Sequence, residues 1–524
     1  MRSASGAGGS PRRGASVLAA LLLLAACHRS SASPAPDAGR APQGLGPAGD
    51  TRPSGSEGIA RPILDAAVPG LREHHAFRMV FPLRAAPGGR HLEDQRGVPF
   101  LVKGETAWLA LANLSEAEQE AYLADRAARG FNLVEVMLTN HDYTRAPNPA
   151  PPANRRGEQP FLRPGDLSSP SDVYFDRALA FVDRAAAHGM AVLLAPNYLG
   201  FDGGPEGWWE TLNAATNTRE VCATFGRYLG ARFRDRPNVL WLAGGDFAPP
   251  AGSEGEARHL ALVEGIRSAG ATQPWTGHWN ARHLGGISTD QARFAPLMEA
   301  NGVYQYAEPY RFVSRAYDVH PPRPVFLLES TYEHEHPDSE TQPFRKAWWW
   351  SMLSGASGTV WSNHFLWRCE SARGIYRAEY GDTDRAVSSW KAELDSSGTR
   401  QVVQLHRFFE ALPWHRLVPA GPSSGVPALV TAGQRFGQDH IAAASTREGD
   451  LVVAYVPPTG SEHRRFGLDL SGLRGPARAR WFDPVAGVFV DAPALPVRPG
   501  EVDFEVPGRN ASGLDDWALV VEAP

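Results

Sequence analysis

The sequence predicts an α/β protein, a closed (β/α)8 TIM barrel with a smaller C-terminal all-β sandwich domain. Three observations predict it. Over residues 100–412, eight short apolar runs alternate with longer amphipathic stretches. No G-x-G-x-x-G or G-x-x-x-x-G-K loop follows an early strand, as an open doubly wound sheet would require. Beyond Leu417 the texture changes to short strands separated by Pro, Gly and Asp. A chain of 524 residues, 43% hydrophobic, has material for a large core.

Residues 100–102 read as the first strand. Ser115 with Glu118 three residues on forms a capping box, the helix runs to Arg129, and Gly130 supplies the left-handed stop before strand 131–138. A helix over 171–188 ends at Gly189 and feeds strand 190–195, and a helix over 218–233 feeds strand 238–242. A helix over 256–268 leads to a strand near Trp275, followed by strands at 303–306 and 325–328. A helix over 344–353, the eighth strand at 359–362 and a helix over 401–412 complete the barrel. Sandwich strands are expected at 428–431, 451–456, 479–482, 502–506 and 517–521, with Asp483-Pro484 and Gly487 serving a turn.

Arg12 and Arg13 precede an apolar run over 17–26 that is too short to span a bilayer and suits a signal-peptide core. It closes on Leu24-Ala25-Ala26-Cys27, which resembles the bacterial lipobox, so Cys27 is expected to carry the lipid of a mature lipoprotein. An ordinary secretory peptide is the alternative. Residues 28–62 hold no Phe, Trp or Tyr and are dominated by Ala, Pro, Gly and Ser, the composition of a tether. The expected organisation is signal peptide 1–26, tether 27–70, barrel 75–417 and sandwich 418–524. Lys plus Arg number 52 against 57 Asp plus Glu, which leaves no basic field for nucleic acid. Three cysteines, at 27, 222 and 369, cannot form a disulfide framework or a zinc cage. Cys222 reads as core packing, with a bond to Cys369 left open.

Active sites of this barrel collect at the carboxyl ends of the strands. Polar and aromatic residues cluster there: Glu105 and Trp108, Asn140, Asn197, Asp246, His278, Gln305 with Tyr306, Glu329 with Tyr332, and Trp361, His364 and Trp367. Carboxylates, amides and indoles on one face suit a sugar, whose C–H faces stack and whose hydroxyls bond. Hydrolysis of a glycosidic bond needs an acid to protonate the leaving oxygen and a carboxylate to attack or to activate water. Asp246 and Glu329 fit, each directly beyond an apolar strand on opposite sides of the barrel mouth. The competing reading makes Asp246 a cap and Glu329 an ion-pair partner. The remaining pocket candidates are assigned to substrate binding. Glu333 and Glu335 lie beyond the strand end, and His334-Glu335-His336 lacks the helical spacing of a zinc pair, so an exposed loop is expected there. Trp348-Trp349-Trp350 is expected to be a helix face packed on the barrel.

Several motifs together carry a resemblance. Gly104-x-Thr106-Ala107-Trp108, Arg126 with Gly130-Phe131-Asn132, Pro237-Asn238-Val239-x-Trp241-x-x-Gly244-Gly245-Asp246, Pro324-Val325 through Glu329-x-x-Tyr332-Glu333, and His364-x-x-Trp367 resemble the apiosidase-like catalytic domain, glycoside hydrolase family 140. The resemblance covers residues 75–415 and implies a (β/α)8 barrel acting on apiose-containing pectin side chains, with Asp246 as acid/base and Glu329 as nucleophile. The tail resembles the collagen-binding-type β-sandwich that often follows it. The sequence departs from the family at Glu105, where Asp is usual, at Gln305-Tyr306-Ala307-Glu308, which lacks a histidine, and at Trp361, where tyrosine is usual.

The expectation is therefore a monomeric lipoprotein of the bacterial cell envelope, held to a membrane through Cys27 and hydrolysing an oligo- or polysaccharide with neither metal nor cofactor. The hydrolysis retains configuration if the two carboxyl groups are about 5 to 5.5 Å apart. A catalytically silent carbohydrate-binding lipoprotein is the opposing class, and adhesion to protein matrix through the sandwich a third.

Overall fold

The computed structural model describes residues 79–139, 151–280, 286–335, 341–369, 388–421, 424–433, 437–461, 463–492 and 497–524. The signal segment, Cys27, the tether, Asn140 and His336 lie outside the described residues.

Val102–Thr106 (β1), Leu133–Met137 (β2), Ala191–Ala195 (β3), Val239–Gly244 (β4), Trp275–His278 (β5), Asn301–Tyr304 (β6), Val325–Glu329 (β7) and Gly358–Trp361 (β8) form one parallel sheet. Its order is β5-β4-β3-β2-β1-β8-β7-β6. All eight strands are buried, and β3, β4 and β7 read as nearly continuous apolar runs. The β5–β6 seam is laced by side chains: Gly302 N donates to Ser288 Oγ (2.8 Å) and to Thr276 Oγ1 (3.0 Å), and Ser288 Oγ donates to Gly277 O (2.8 Å). The barrel is thereby nearly closed.

Helices Glu116–Ala128 (α1), Asp172–Ala187 (α2), Arg219–Phe233 (α3), Glu254–Ser268 (α4), Pro309–Tyr317 (α5), Thr341–Leu353 (α6) and Ser397–Glu410 (α7) surround the sheet. Their starts follow local chemistry. Ser115 and Glu118 form the expected reciprocal capping box on α1, and Thr218, Ser253 and Ser396 cap α3, α4 and α7.

The first strand differs from expectation. Pro99–Phe100 leaves the barrel to pair with Leu92–Glu93, which pairs in turn with Arg84–Ala85 in a small antiparallel sheet. The register of β8 against β1, Gly358 to Val102 and Trp361 to Glu105, extends the barrel strand through Lys103, Glu105 and Thr106. Glu105 therefore lies within a strand rather than beyond one.

The C-terminal region begins with Leu417–Pro419 (β9), followed by Val430–Ala432 (β10), Ala442–Thr446 (β11), Leu451–Val456 (β12), Arg465–Asp469 (β13), Arg478–Asp483 (β14), Val488–Asp491 (β15), Glu501–Glu505 (β16) and Trp517–Glu522 (β17). They make a six-stranded sheet, β9-β11-β12-β17-β14-β15, and a three-stranded sheet, β10-β13-β16. Val452, Ala454, Leu519 and Val521 pack between the sheets with Phe466 and Trp481. Val453, Tyr455, Ala518 and Val520 alternate with them and join the core of the barrel. The larger sheet is thus covered on both faces.

Of the tryptophan triplet, Trp348 packs edge to face with Trp361 of β8 at 5.5 Å between centroids. Trp349 stacks on Tyr455 (5.4 Å) and Trp350 Nε1 donates to His440 O (2.7 Å), both in the sandwich. The helix face is shared because α6 lies between the two domains. Arg345 on α6 adds a buried bidentate pair with Asp516 (both 2.8 Å), whose carboxylate also accepts from Tyr455 and Asn510. Cys222 and Cys369 are both buried and are not bonded to each other.

Candidate active site

At the end of β4 the chain takes three successive left-handed residues, Gly244 (φ 90°), Gly245 (φ 92°) and Asp246 (φ 52°). The glycines are steric necessities. A Cβ on Gly244 would lie 2.4 Å from the Trp279 ring, and one on Gly245 2.5 Å from that of Tyr198. The turn is held from below: Gly244 N donates to His259 Nε2 (3.1 Å) on α4, and Asp246 N donates to His278 Nδ1 (2.9 Å) on β5. This fixes Asp246 in a strained conformation, a feature that clusters at functional sites.

Asp246 Oδ2 accepts from the Tyr198 hydroxyl at 2.5 Å, while its buried Oδ1 has no hydrogen-bond partner among the described residues. Burial, reinforced by the charge of Glu329, pushes the Asp246 carboxyl up to about 7. It can therefore hold a proton near neutrality.

Glu329 ends β7. Its Oε2 meets His278 Nε2 at 2.9 Å and its Oε1 accepts from the Tyr306 hydroxyl at 2.8 Å. A carboxylate oxygen of Asp246 and one of Glu329 lie within 4.8 Å of each other and of a His278 nitrogen.

Such a trio could hold a metal by composition, but His278 has no lone pair to offer. Its Nδ1 accepts the Asp246 amide, so its proton sits on Nε2 and is donated to Glu329. Although burial alone opposes charge on His278, Glu329 and then Asp246 push its pKa up to about 9. A second proton on Nδ1 would still collide with the amide donor 2.9 Å away, and the geometry keeps the neutral Nε2–H tautomer.

Around these groups lies an aromatic pocket. Trp108, Phe201 and Trp367 form walls, Tyr198, Tyr304, Tyr306 and Tyr332 supply hydroxyls, and Glu335 adds a third carboxyl. His278 stacks beneath Tyr304 with centroids 4.8 Å apart. Of the residues singled out from sequence, Asp246, Glu329, Trp108, Tyr306, Tyr332 and Trp367 line this pocket. His278 lies one layer below as a brace. Asn197 is buried just before Tyr198, and neither of its amide atoms has a partner among the described residues.

Four candidates are placed elsewhere. Glu105 alternates outward from β1 into the helix layer, where it pairs with Arg126 (2.7 Å) and accepts from Tyr122, all three fully buried. Burial lifts the Glu105 carboxyl above its ordinary range while Arg126 opposes it. Trp361 points the same way from β8 and packs on Phe344 and Trp348. Gln305 turns its amide onto its own loop, accepting from Ala307 N at 3.1 Å. His364 is buried behind Trp367, edge to face at 5.6 Å. For Glu105 and Trp361 the cause is the two-residue period of a strand, in which an error of one position moves a side chain to the other face; His364 instead opens a short helix, and Gln305 lies in the loop beyond its strand.

The expected loop is present and half-exposed, but Glu335 turns its carboxyl into the pocket. His334 adopts φ 64°, the chain reverses, and Glu335 returns to the pocket, its Oε2 accepting from Tyr332 N at 3.3 Å. Burial, then the charge of Glu329, holds its carboxyl well above the usual range. Glu333 instead anchors α7, accepting from Gly398 N at 3.0 Å. A further acid escaped the sequence reading. Glu135 points into the barrel from β2, its Oε2 accepting from Thr106 Oγ1 at 2.6 Å and its Oε1 buried without a partner among the described residues. Burial raises it to about 8. The hydroxyl of Tyr332 donates to Thr106 at 3.1 Å, linking this acid to the pocket wall.

Comparison with known proteins agrees with this architecture. A solved glycoside hydrolase superposes with a TM-score of 0.68 at 21% identity, covering 85% of this chain and 98% of that one. A glycoside hydrolase family 5 protein from Bacteroides vulgatus ATCC 8482 gives 0.69 at 20% identity, over 84% and 93%. No curated protein sequence matches the chain. Residues 426–522 match the family described as "Putative collagen-binding domain of a collagenase". Residues 86–416, with the two facing carboxylates and the aromatic pocket, match the family "Apiosidase-like, catalytic domain", and the chain belongs to that family of glycoside hydrolases.

Proposed function

We propose that this glycosidase cleaves a bond in a plant cell-wall (pectic) or related polysaccharide with retention of configuration, Asp246 acting as acid/base and Glu329 as nucleophile. The observation that supports the reading is the close approach of the two carboxylates, whose nearest oxygens lie within 4.8 Å, closer to the spacing of a retaining pair than to that of an inverting one. Glu329 attacks the anomeric carbon while Asp246 gives its proton to the departing oxygen. Asp246 then takes a proton from water, which displaces Glu329 and releases the sugar. The free Oδ1 of Asp246 is the atom suited to carry that proton. Trp108 and Trp367 offer stacking faces to the glycone.

Export and lipid anchoring at Cys27 belong to the same proposal, supported by the lipobox-like Leu24-Ala25-Ala26-Cys27 and the tether composition behind it. Such an anchor places the enzyme at the bacterial envelope, facing external polysaccharide. Cys27→Ala is expected to move the protein from the detergent phase to the soluble fraction with activity kept; continued partition into detergent refutes the anchor.

The test of the chemistry is a screen on chromogenic glycosides and pectic oligosaccharides, with proton NMR of the first sugar released. Retained configuration is expected. Inversion removes the nucleophile role of Glu329, and absence of turnover on every substrate returns the silent binding protein.

A further inference from the structure

The lining of the pocket changes with depth. Trp108, Trp367, Asp246 and Glu329 are buried, whereas Phe201, Tyr306 and Glu335 are half-exposed and mark the mouth. Tyr306 belongs to the Glu329 side, donating to that carboxylate at 2.8 Å. Phe201 belongs to the Asp246 side. Its loop follows β3, the neighbour of β4 in the sheet, while Glu329 ends β7 across the barrel. Leu199 N donates to Gly244 O (3.0 Å) and Asp202 N to Asp246 O (3.2 Å), so the chain on both sides of Phe201 is bonded to the turn that carries Asp246.

The loop is also tied to itself. Gly200 and Gly207 meet in backbone contact, where a Cβ on Gly207 would lie 2.0 Å from Gly200 N. Glu206 Oε1 accepts from Phe201 N at 2.5 Å, Gly204 N donates to Phe201 O at 2.9 Å, and Asn280 Nδ2 donates to Asp202 Oδ1 at 2.8 Å. Gly203 lies against the rings of Trp209 and Phe247, which a Cβ there would approach to 3.0 and 3.2 Å. The fold thus sets a phenyl ring in partial contact with water on a support as fixed as the turn of Asp246 itself.

We propose that Phe201 is the platform for the leaving-group sugar: the unit on the reducing-end side of the scissile bond lays an apolar C–H face on this ring. The inference rests on the reading of Asp246 as acid. An acid must reach the oxygen that joins the two sugars, so the departing unit lies on the Asp246 side and outward of the buried glycone, which is where Phe201 stands. A pyranosyl unit offers such a face, and covering the ring with it removes apolar surface from water.

The experiment uses Phe201→Ala and Phe201→Tyr in the full chain, on two substrates with one glycone: the glycosyl fluoride, and the pectic oligosaccharide that the substrate screen yields. Fluoride departs as one atom and cannot cover the ring. Phe201→Ala is expected to lose about 10-fold more kcat/KM on the oligosaccharide than on the fluoride, and Phe201→Tyr, which keeps the ring face, to hold the parent's ratio within about twofold. Equal losses on the two substrates, or a tyrosine variant as impaired as the alanine one, overturn the proposal. Asp246→Ala beside them separates the two readings. Equal losses there remove the acid role, while the ratio in the Phe201 variants still decides the platform. If the parent turns over neither substrate, the glycosidase reading falls, and titration calorimetry of pectic oligosaccharides decides: Phe201→Ala should weaken binding about 10-fold, and unchanged affinity overturns the platform.

Discussion

Replacing Glu135 by glutamine tests the electrostatics of the barrel interior at a residue that does not line the pocket. In the folded protein its carboxyl is raised from 4.5 to about 8, first by burial. Below pH 4.5 the group is protonated in both folded and unfolded chains and has no pH-dependent effect. Above that the unfolded chain ionises while the folded one keeps its proton, so stability falls as pH rises, by about 1.4 kcal/mol per unit, until pH reaches about 8. At pH 7 the accumulated loss is about 3 kcal/mol, and above pH 8 it levels near about 5 kcal/mol. Glutamine never ionises and can still accept from Thr106. Its amide nitrogen takes the place of the partnerless oxygen, which shifts the whole curve by an amount independent of pH. The slope is therefore the test. Urea unfolding followed by the fluorescence of the 15 tryptophans, at pH 5, 6, 7 and 8, should show Glu135→Gln gaining on the parent steadily with pH. Parallel curves would refute a buried neutral acid at this position.

Three further outcomes are expected. With the Asp246 carboxyl pushed up to about 7 and the proposed role of that residue as the acid, kcat/KM is expected to fall as pH rises through 7; in Glu329→Gln, which removes a charge that raises it, carbon NMR of labelled aspartate should find the Asp246 value lowered. Gly245→Ala puts a methyl 2.5 Å from the Tyr198 ring at φ 92° and should abolish most turnover while costing about 1 to 3 kcal/mol in urea unfolding. Arg345→Ala leaves Asp516 buried without its cation and should destabilise the protein by about 3 to 5 kcal/mol; a loss near zero would show that the interdomain pair is dispensable.

Much of the barrel was legible because local signals agreed with one another. Ser115 with Glu118, Thr218 and the glycines at 130 and 189 marked helix ends, and the runs around Val192, Leu240 and Leu327 marked strands. The two carboxylates were legible for the same reason, each being the first acid after an unmistakable strand. Glu105 and Trp361 were misplaced because strand ends are uncertain by a residue or two, and the pleat turns that uncertainty into a choice between pocket and helix layer. Glu335 depended on a reversal at His334, which takes a left-handed conformation that histidine adopts more readily than most side chains but far too rarely for the sequence to announce it. Glu135 did carry a signal, a lone acid between Val134 and Val136 inside a buried strand, though its neighbours across the barrel are set only by closure. Ala442–Thr446 was passed over because its Ala-Ala-Ala-Ser-Thr sequence has little strand propensity; packing on both faces makes it a strand.

The doubly covered sheet bears on how such a chain can be cut, recombined or inherited. In the strands Leu-Val-Val-Ala-Tyr-Val and Trp-Ala-Leu-Val-Val-Glu, successive apolar side chains serve two different cores. A chain ended at the barrel would present the other half of that imprint, including Trp349 and the Arg345 guanidinium, to water. An isolated sandwich would expose a flat apolar sheet able to find copies of itself. Neither piece is expected to be an independent module, so a break between them should cost the stability of both. The barrel and sandwich families matched by this chain are therefore expected to be inherited together.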